Sequence, residues 1–149
     1  MRTRLFFLLL VLIPLRWLQA TEGRVMKVLP HLIDSAGRHT LSPSLYERDA
    51  YQSLLQSDPT RVRSLRFDIL WKISNPVPPK LTLRIEMRGG SDAKPQVINR
   101  SVKRGFFGRR WSHIQLSEAD YKALGKLSGW RVSLVTEASE VASMSSFLW

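Results

Sequence analysis

A chain of 149 residues with a formal charge of +11 and no cysteine is long enough to bury one sizeable core. The missing cysteine excludes disulfides, thiolate catalysis, a cysteine zinc site and a lipid-modified cysteine anchor. The positive charge favours acidic surroundings such as phosphate-bearing lipids, anionic glycans or acidic proteins.

Met1 to Ala20 has the three regions of a secretory signal peptide. Arg2 and Arg4 form a charged start, Leu5 to Ile13 is an unbroken apolar run, and Ala20 offers a small residue before a cut. Pro14 and Arg16 halve the apolar stretch that a membrane anchor would need. The expected domain is therefore 21–149, with no transmembrane segment. Without the three leader arginines its charge falls from +11 to +8. An exported chain with no cysteine suggests a bacterial periplasmic or secreted protein. Charge alone admits nucleic acid, but export makes it the poorer expectation.

Val25 to Asp34 is apolar enough for a first strand, and Pro30 places it on an edge or across a bulge. Ser35 to Gly37 is a turn. A helix follows, starting either at Ser42 with Pro43 in the first turn, or at Ser44 with Glu47 closing a capping box. Leu45, Ala50, Tyr51, Leu54 and Leu55 give it an apolar stripe, and Asp58-Pro59 stops it.

The clearest strand is Leu65 to Ile73, where Leu65, Phe67, Ile69, Trp71 and Ile73 share one face and Arg66, Asp68, Leu70 and Lys72 the other. Asn75 to Pro79 is a stiff loop, and Lys80 to Arg88 alternates again with Leu81, Leu83, Ile85 and Met87 inward. A hairpin centred on Val77 would set Asp68 opposite Glu86, an unfavourable pair. A two-residue slip, or placement in opposite sheets, relieves it.

Gln96 to Lys103 and Arg110 to Leu116 are weaker strands, and Ser117 caps a short helix ending near Gly125 or Gly129. Trp130 to Thr136 alternates, and Val141 to Trp149 returns beside it, its aromatic end expected in the core. The sum is a mainly β, antiparallel two-sheet sandwich, immunoglobulin-like in the loose sense. One helix lies between early strands and a short helical turn comes late. A small partly open β-barrel is the alternative.

No catalytic constellation emerges: there is no Gly-x-Ser-x-Gly, His-Glu-x-x-His or phosphate loop. His31, Asp34 and His39 lack a diagnostic metal spacing, so neither metal nor other cofactor is expected. Asp68 and Glu86 could be paired carboxylates for glycoside hydrolysis. With Arg66, Arg84 and Arg88 nearby, a solvated charge ladder fits better.

Two stretches are candidate contact surfaces. Arg100 to Trp111 sets Arg100, Lys103, Arg104, Arg109 and Arg110 around Phe106 and Phe107, ending in Trp111. Such a loop could lay rings on lipid or sugar while cations hold phosphates, or anchor a protein partner. A secondary polar cluster, Arg38, His39, Arg48 and Asp49, lies around the helix entry. It could receive an anionic group, but a structural cross-brace with Arg38 or Arg48 paired to an acid is the favoured reading.

The segment Gly37 to Tyr51 also resembles small uncharacterised exported bacterial β-sandwich proteins, a likeness running mainly from Val25 to Trp71. The resemblance implies the sandwich and brings no activity. The function expected is a non-enzymatic exported domain that meets an acidic envelope component or a protein partner through residues 100–111. The alternative is a small exported hydrolase, or an accessory domain, acting on envelope glycans.

Overall fold

The computed structural model describes residues 21–74, 78–90, 94–103 and 109–149. The expected leader, Arg104, Phe106 and Phe107 lie outside the described residues.

Among the described residues, seven strands form two antiparallel sheets. In chain order they are β1 (Gly23–Asp34), β2 (Val62–Ile73), β3 (Leu81–Gly89), β4 (Gln96–Ser101), β5 (Arg109–Gln115), β6 (Leu127–Thr136) and β7 (Glu140–Ser145). Helix α1 (Leu45–Ser57) separates β1 from β2, and α2 (Glu118–Leu124) separates β5 from β6. One sheet has the order β1-β2-β5 and the other β4-β3-β6-β7, so the sandwich is open and not a closed barrel.

The alternation of β2 decides where the core sits. Its inward row, Leu65 to Ile73, is no more than 2% exposed, and it faces Leu81, Leu83, Ile85 and Met87 of β3 with Val132 and Leu134 of β6. Trp71 satisfies its one polar atom by donating from Nε1 to Ser112 Oγ at 2.9 Å. β2 and β3 lie in opposite sheets, and this separates Asp68 from Glu86. Each acid is instead paired within its own strand, Asp68 with Arg66 and Glu86 with Arg84.

β1 is an edge strand with a bulge between Val25 and Lys27. Its free edge is covered by a side chain. The amide of Gln52 on α1 accepts from Leu32 N (2.8 Å) and donates to Leu32 O (2.9 Å) and His39 O (2.8 Å). One glutamine thus substitutes for a further strand along that stretch of edge, which would otherwise invite pairing. Gln52→Ala is expected to destabilise the domain by about 1–3 kcal/mol, read as a shift in the urea midpoint with unchanged slope.

Of the two helix starts weighed, Ser44 is the cap: its hydroxyl accepts from Glu47 N. The apolar stripe is narrower than its sequence implies. Tyr51 and Leu55 are buried, whereas Leu45 and Leu54 face solvent, because α1 lies along the β1 edge and not across a sheet face. Ser117 caps α2 and Gly125, at φ 69°, ends it. The C-terminus departs from expectation. Phe147 is fully exposed and Leu148 largely so, while Trp149 lies beneath the Arg88 guanidinium, 4.4 Å from its ring centre. A cation on the outer surface of β3 holds the last ring there.

Candidate functional site

The outer face of the β1-β2-β5 sheet collects chemistry that is scattered along the chain. Strand register places side chains in rungs. Arg24, Lys72 and Arg109 form the first; Lys27, Leu70 and Trp111 the next; then Leu29, Asp68 and His113; then His31, Arg66 and Gln115. Two regions result, a cationic end and a compact cluster around a buried acid.

Asp68 is the centre of that cluster and is only 8% exposed. His113 Nδ1 lies 2.7 Å from its Oδ1, Arg66 Nη2 donates to Oδ2 at 3.0 Å, and His31 Nε2 stands 3.5 Å from Oδ2. Burial pushes the Asp68 carboxyl up, but the hydrogen bonds from His113 and Arg66 outweigh it and hold the pKa below its ordinary value. The carboxylate is therefore an acceptor at neutral pH, which assigns the Nδ1–H form to His113. His39 Nδ1 lies 3.3 Å from Arg66 Nη2, and a guanidinium can only donate, so this nitrogen is the unprotonated one.

Burial, more than any neighbouring charge, lowers the pKa of both His31 and His39, with Arg66 adding to the effect at each. A histidine held neutral in the fold binds protons less readily than in the unfolded chain. Its stabilisation is complete above the unfolded pKa near 6.5 and is lost as pH falls through that value towards the lowered one. The thermal midpoint should therefore fall on moving from pH 7 to pH 5.5. In His39→Gln, which keeps an acceptor for Arg66 and removes one titration, that fall should be shallower.

Asp34 forms a second, purely structural knot. Its carboxylate accepts from Tyr51 Oη (2.6 Å), Arg38 N (2.8 Å), Arg38 Nε (2.9 Å) and Ala36 N (2.9 Å). Burial would raise its pKa, but these donors, Tyr51 first, bring it down to about 2. Arg38 is thus engaged in a brace between the β1 turn and α1, and Arg48 pairs with Asp49 at 2.7 Å on the helix surface. Of the secondary polar cluster, His39 meets the Asp68 group through Arg66, and the Arg48 charge lies near enough to help lower the pKa of His31 and His39.

The Arg100–Trp111 stretch is divided between the sheets. Arg100 sits on edge strand β4 opposite Leu83, Lys103 follows that strand, and Arg110 takes an inward register position opposite Trp71, donating from Nη1 to Lys103 O at 3.1 Å. Arg109 and Trp111 project from the outer face. Trp111 is 42% exposed, its ring parallel to that of His113 within 5° and centred 6.5 Å away.

At the cationic end Arg24, Lys72 and Arg109 lie side by side across three strands, with Lys27 one rung away, and all four are exposed. Among the described residues none of the four has a carboxylate within ion-pair distance. Like charges directly opposite one another on a sheet are destabilising. Reading the sequence strand by strand misses this rung, because Arg24, Lys72 and Arg109 meet only once the sheet order is known.

No family model, curated protein or solved structure matches the chain. Asp68 and His113 form the acid–histidine half of a hydrolytic triad, yet among the described residues the only side-chain hydrogen bond of His113 is to Asp68, and no hydroxyl nucleophile is bonded to it. Among the described residues no three His, Asp or Glu side chains converge with metal-binding geometry. No described helix is long and apolar enough to cross a membrane.

Proposed function

We propose that this protein is an exported, non-enzymatic binding domain that holds an acidic glycan of the cell envelope against the outer face of the β1-β2-β5 sheet. The observation that carries this reading is the cationic rung of Arg24, Lys72 and Arg109, without an ion-pair partner among the described residues, beside the half-exposed ring of Trp111. Adjacent strands are spaced about 4.8 Å apart, so the rung spans roughly 10 Å. That is a flat, basic strip suited to an extended polyanion, and it lies next to an aromatic face on which a sugar can pack. Asp68, the one acid at the centre of the face, is occupied by Arg66 and His113 and does not offset the cations. The leader-like first 20 residues support export, which would bring such a surface to anionic envelope material.

The test is calorimetric titration of the protein with a heparin oligosaccharide, as a generic acidic glycan, across a salt series. Phosphatidylglycerol vesicles form a parallel arm. Binding that weakens steeply with salt and quenches Trp111 fluorescence, absent from Trp111→Leu, is the expected result. Binding to vesicles alone would transfer the face to a lipid surface, and salt-independent binding to either would remove the cationic rung from the argument.

A further inference from the structure

A second site lies at the side of the sandwich, away from the basic face. β7 pairs with β6 only from Arg131 onward, and residues 146–148 continue beside Trp130 and Gly129. At Leu127, before that stretch, a cleft of about 630 Å³ opens between the sheets. Its walls include Pro30, Leu32, Leu55, Val62, Leu65 and Leu127, with α1 on one side and the end of α2 on the other. Leu55 is fully buried yet stands apart from the main apolar core. Apolar clefts of about 300–1,000 Å³ with a few convergent polar groups are the usual form of small-molecule sites.

The charged groups here have one sign. Lys122 and Lys126 line the cleft and no acid does. Lys122 is tied to Glu118 at 2.8 Å, but among the described residues the Lys126 ammonium has no partner. Tyr121 also lines it, and its hydroxyl makes no hydrogen bond among the described residues. A cation and a free phenolic donor beside an apolar slot complement an anionic head on a single apolar tail. The volume suits one acyl chain and not a two-chain phospholipid.

The geometry points to a fatty acid as the occupant, its chain between Leu32, Val62 and Leu127 and its carboxylate at Lys126 with the Tyr121 hydroxyl. The site does not depend on the basic sheet face. Titration of the full chain with cis-parinaric acid, a fluorescent fatty acid, should show saturable binding of one molecule per chain, displaced by palmitic acid. Lys126→Glu, an exposed change that breaks no side-chain bond among the described residues, should weaken binding about tenfold or more, as expected for one charge-assisted contact turned repulsive. It should leave competition by hexadecanol, which has no charge, unchanged. Gln56→Trp, placed at the lining on exposed helix surface, should abolish binding while circular dichroism stays native. Lys72→Ser on the sheet face should have no effect. Absence of saturable binding, equal affinity in Lys126→Glu, loss of binding in Lys72→Ser, or much stronger displacement by lysophosphatidic acid than by palmitic acid would each overturn the assignment.

Discussion

Asp68→Ala is expected to cost about 3–5 kcal/mol, the usual penalty for leaving a buried charge without its partner. At about 4 °C per kcal/mol for a domain of this size, the thermal midpoint should drop by roughly 12–20 °C. The carboxylate is nearly inaccessible, and two arginine nitrogens and two histidine rings are arranged around it. Its removal leaves Arg66, whose side chain is 21% exposed, without a counter-charge and His113 without the acceptor for its Nδ1–H. Asp68→Asn keeps an acceptor of the same shape and should lose less, about 2 kcal/mol. The double variant Asp68→Ala/Arg66→Met should recover much of the loss, because it removes the stranded charge as well. A single-variant loss below about 1 kcal/mol would reduce the cluster to ordinary surface ion pairs. The same geometry sets an acid dependence. Because the folded pKa of Asp68 is depressed, its contribution is present above the ordinary carboxylate value and disappears as pH falls through the lowered one.

How much of this was legible before folding depends on the range of the signal. The inward row of β2 and the cap at Ser44 are local: period-two alternation and a serine three residues before Glu47 specify them without reference to the rest of the chain. Sheet assignment is not local. The spacing of β2 and β3 in the sequence suits a hairpin, and only the core shared by Trp71 and Leu83 from opposite sheets explains why they separate. The candidate site was the least legible part. Arg24, Lys72 and Arg109 come from three strands far apart in the chain, and each alone looks like a solvated charge. Asp68 and His113 likewise meet only through the β2–β5 register, 45 residues apart. The Arg100–Trp111 stretch stood out by composition, but composition could not show that Trp111 would stack with His113 while Arg110, though exposed, took the register position opposite Trp71. Phe147 illustrates the opposite error: ring chemistry favoured burial, but in the turn where Trp149 N donates to Ser146 O the Phe147 side chain points to solvent.

The triple variant Arg24→Ser/Lys72→Ser/Arg109→Ser should move binding and stability in opposite directions. Each cation that contacts the glycan contributes on the order of 1 kcal/mol, so affinity should fall about a hundredfold. The slope of log affinity against log salt should flatten by about two, as fewer counterions are released. Stability should rise, because two directly opposed like-charge pairs, Arg24 with Lys72 and Lys72 with Arg109, are relieved. At a few tenths of a kcal/mol for each pair, the thermal midpoint should increase by roughly 2–4 °C. A rung kept for structural reasons would respond the other way, with a lower midpoint, and any loss of binding would then follow from damage to the fold. The paired measurement therefore separates the two roles: cations that destabilise the sheet while free and are needed for the ligand are placed for the ligand.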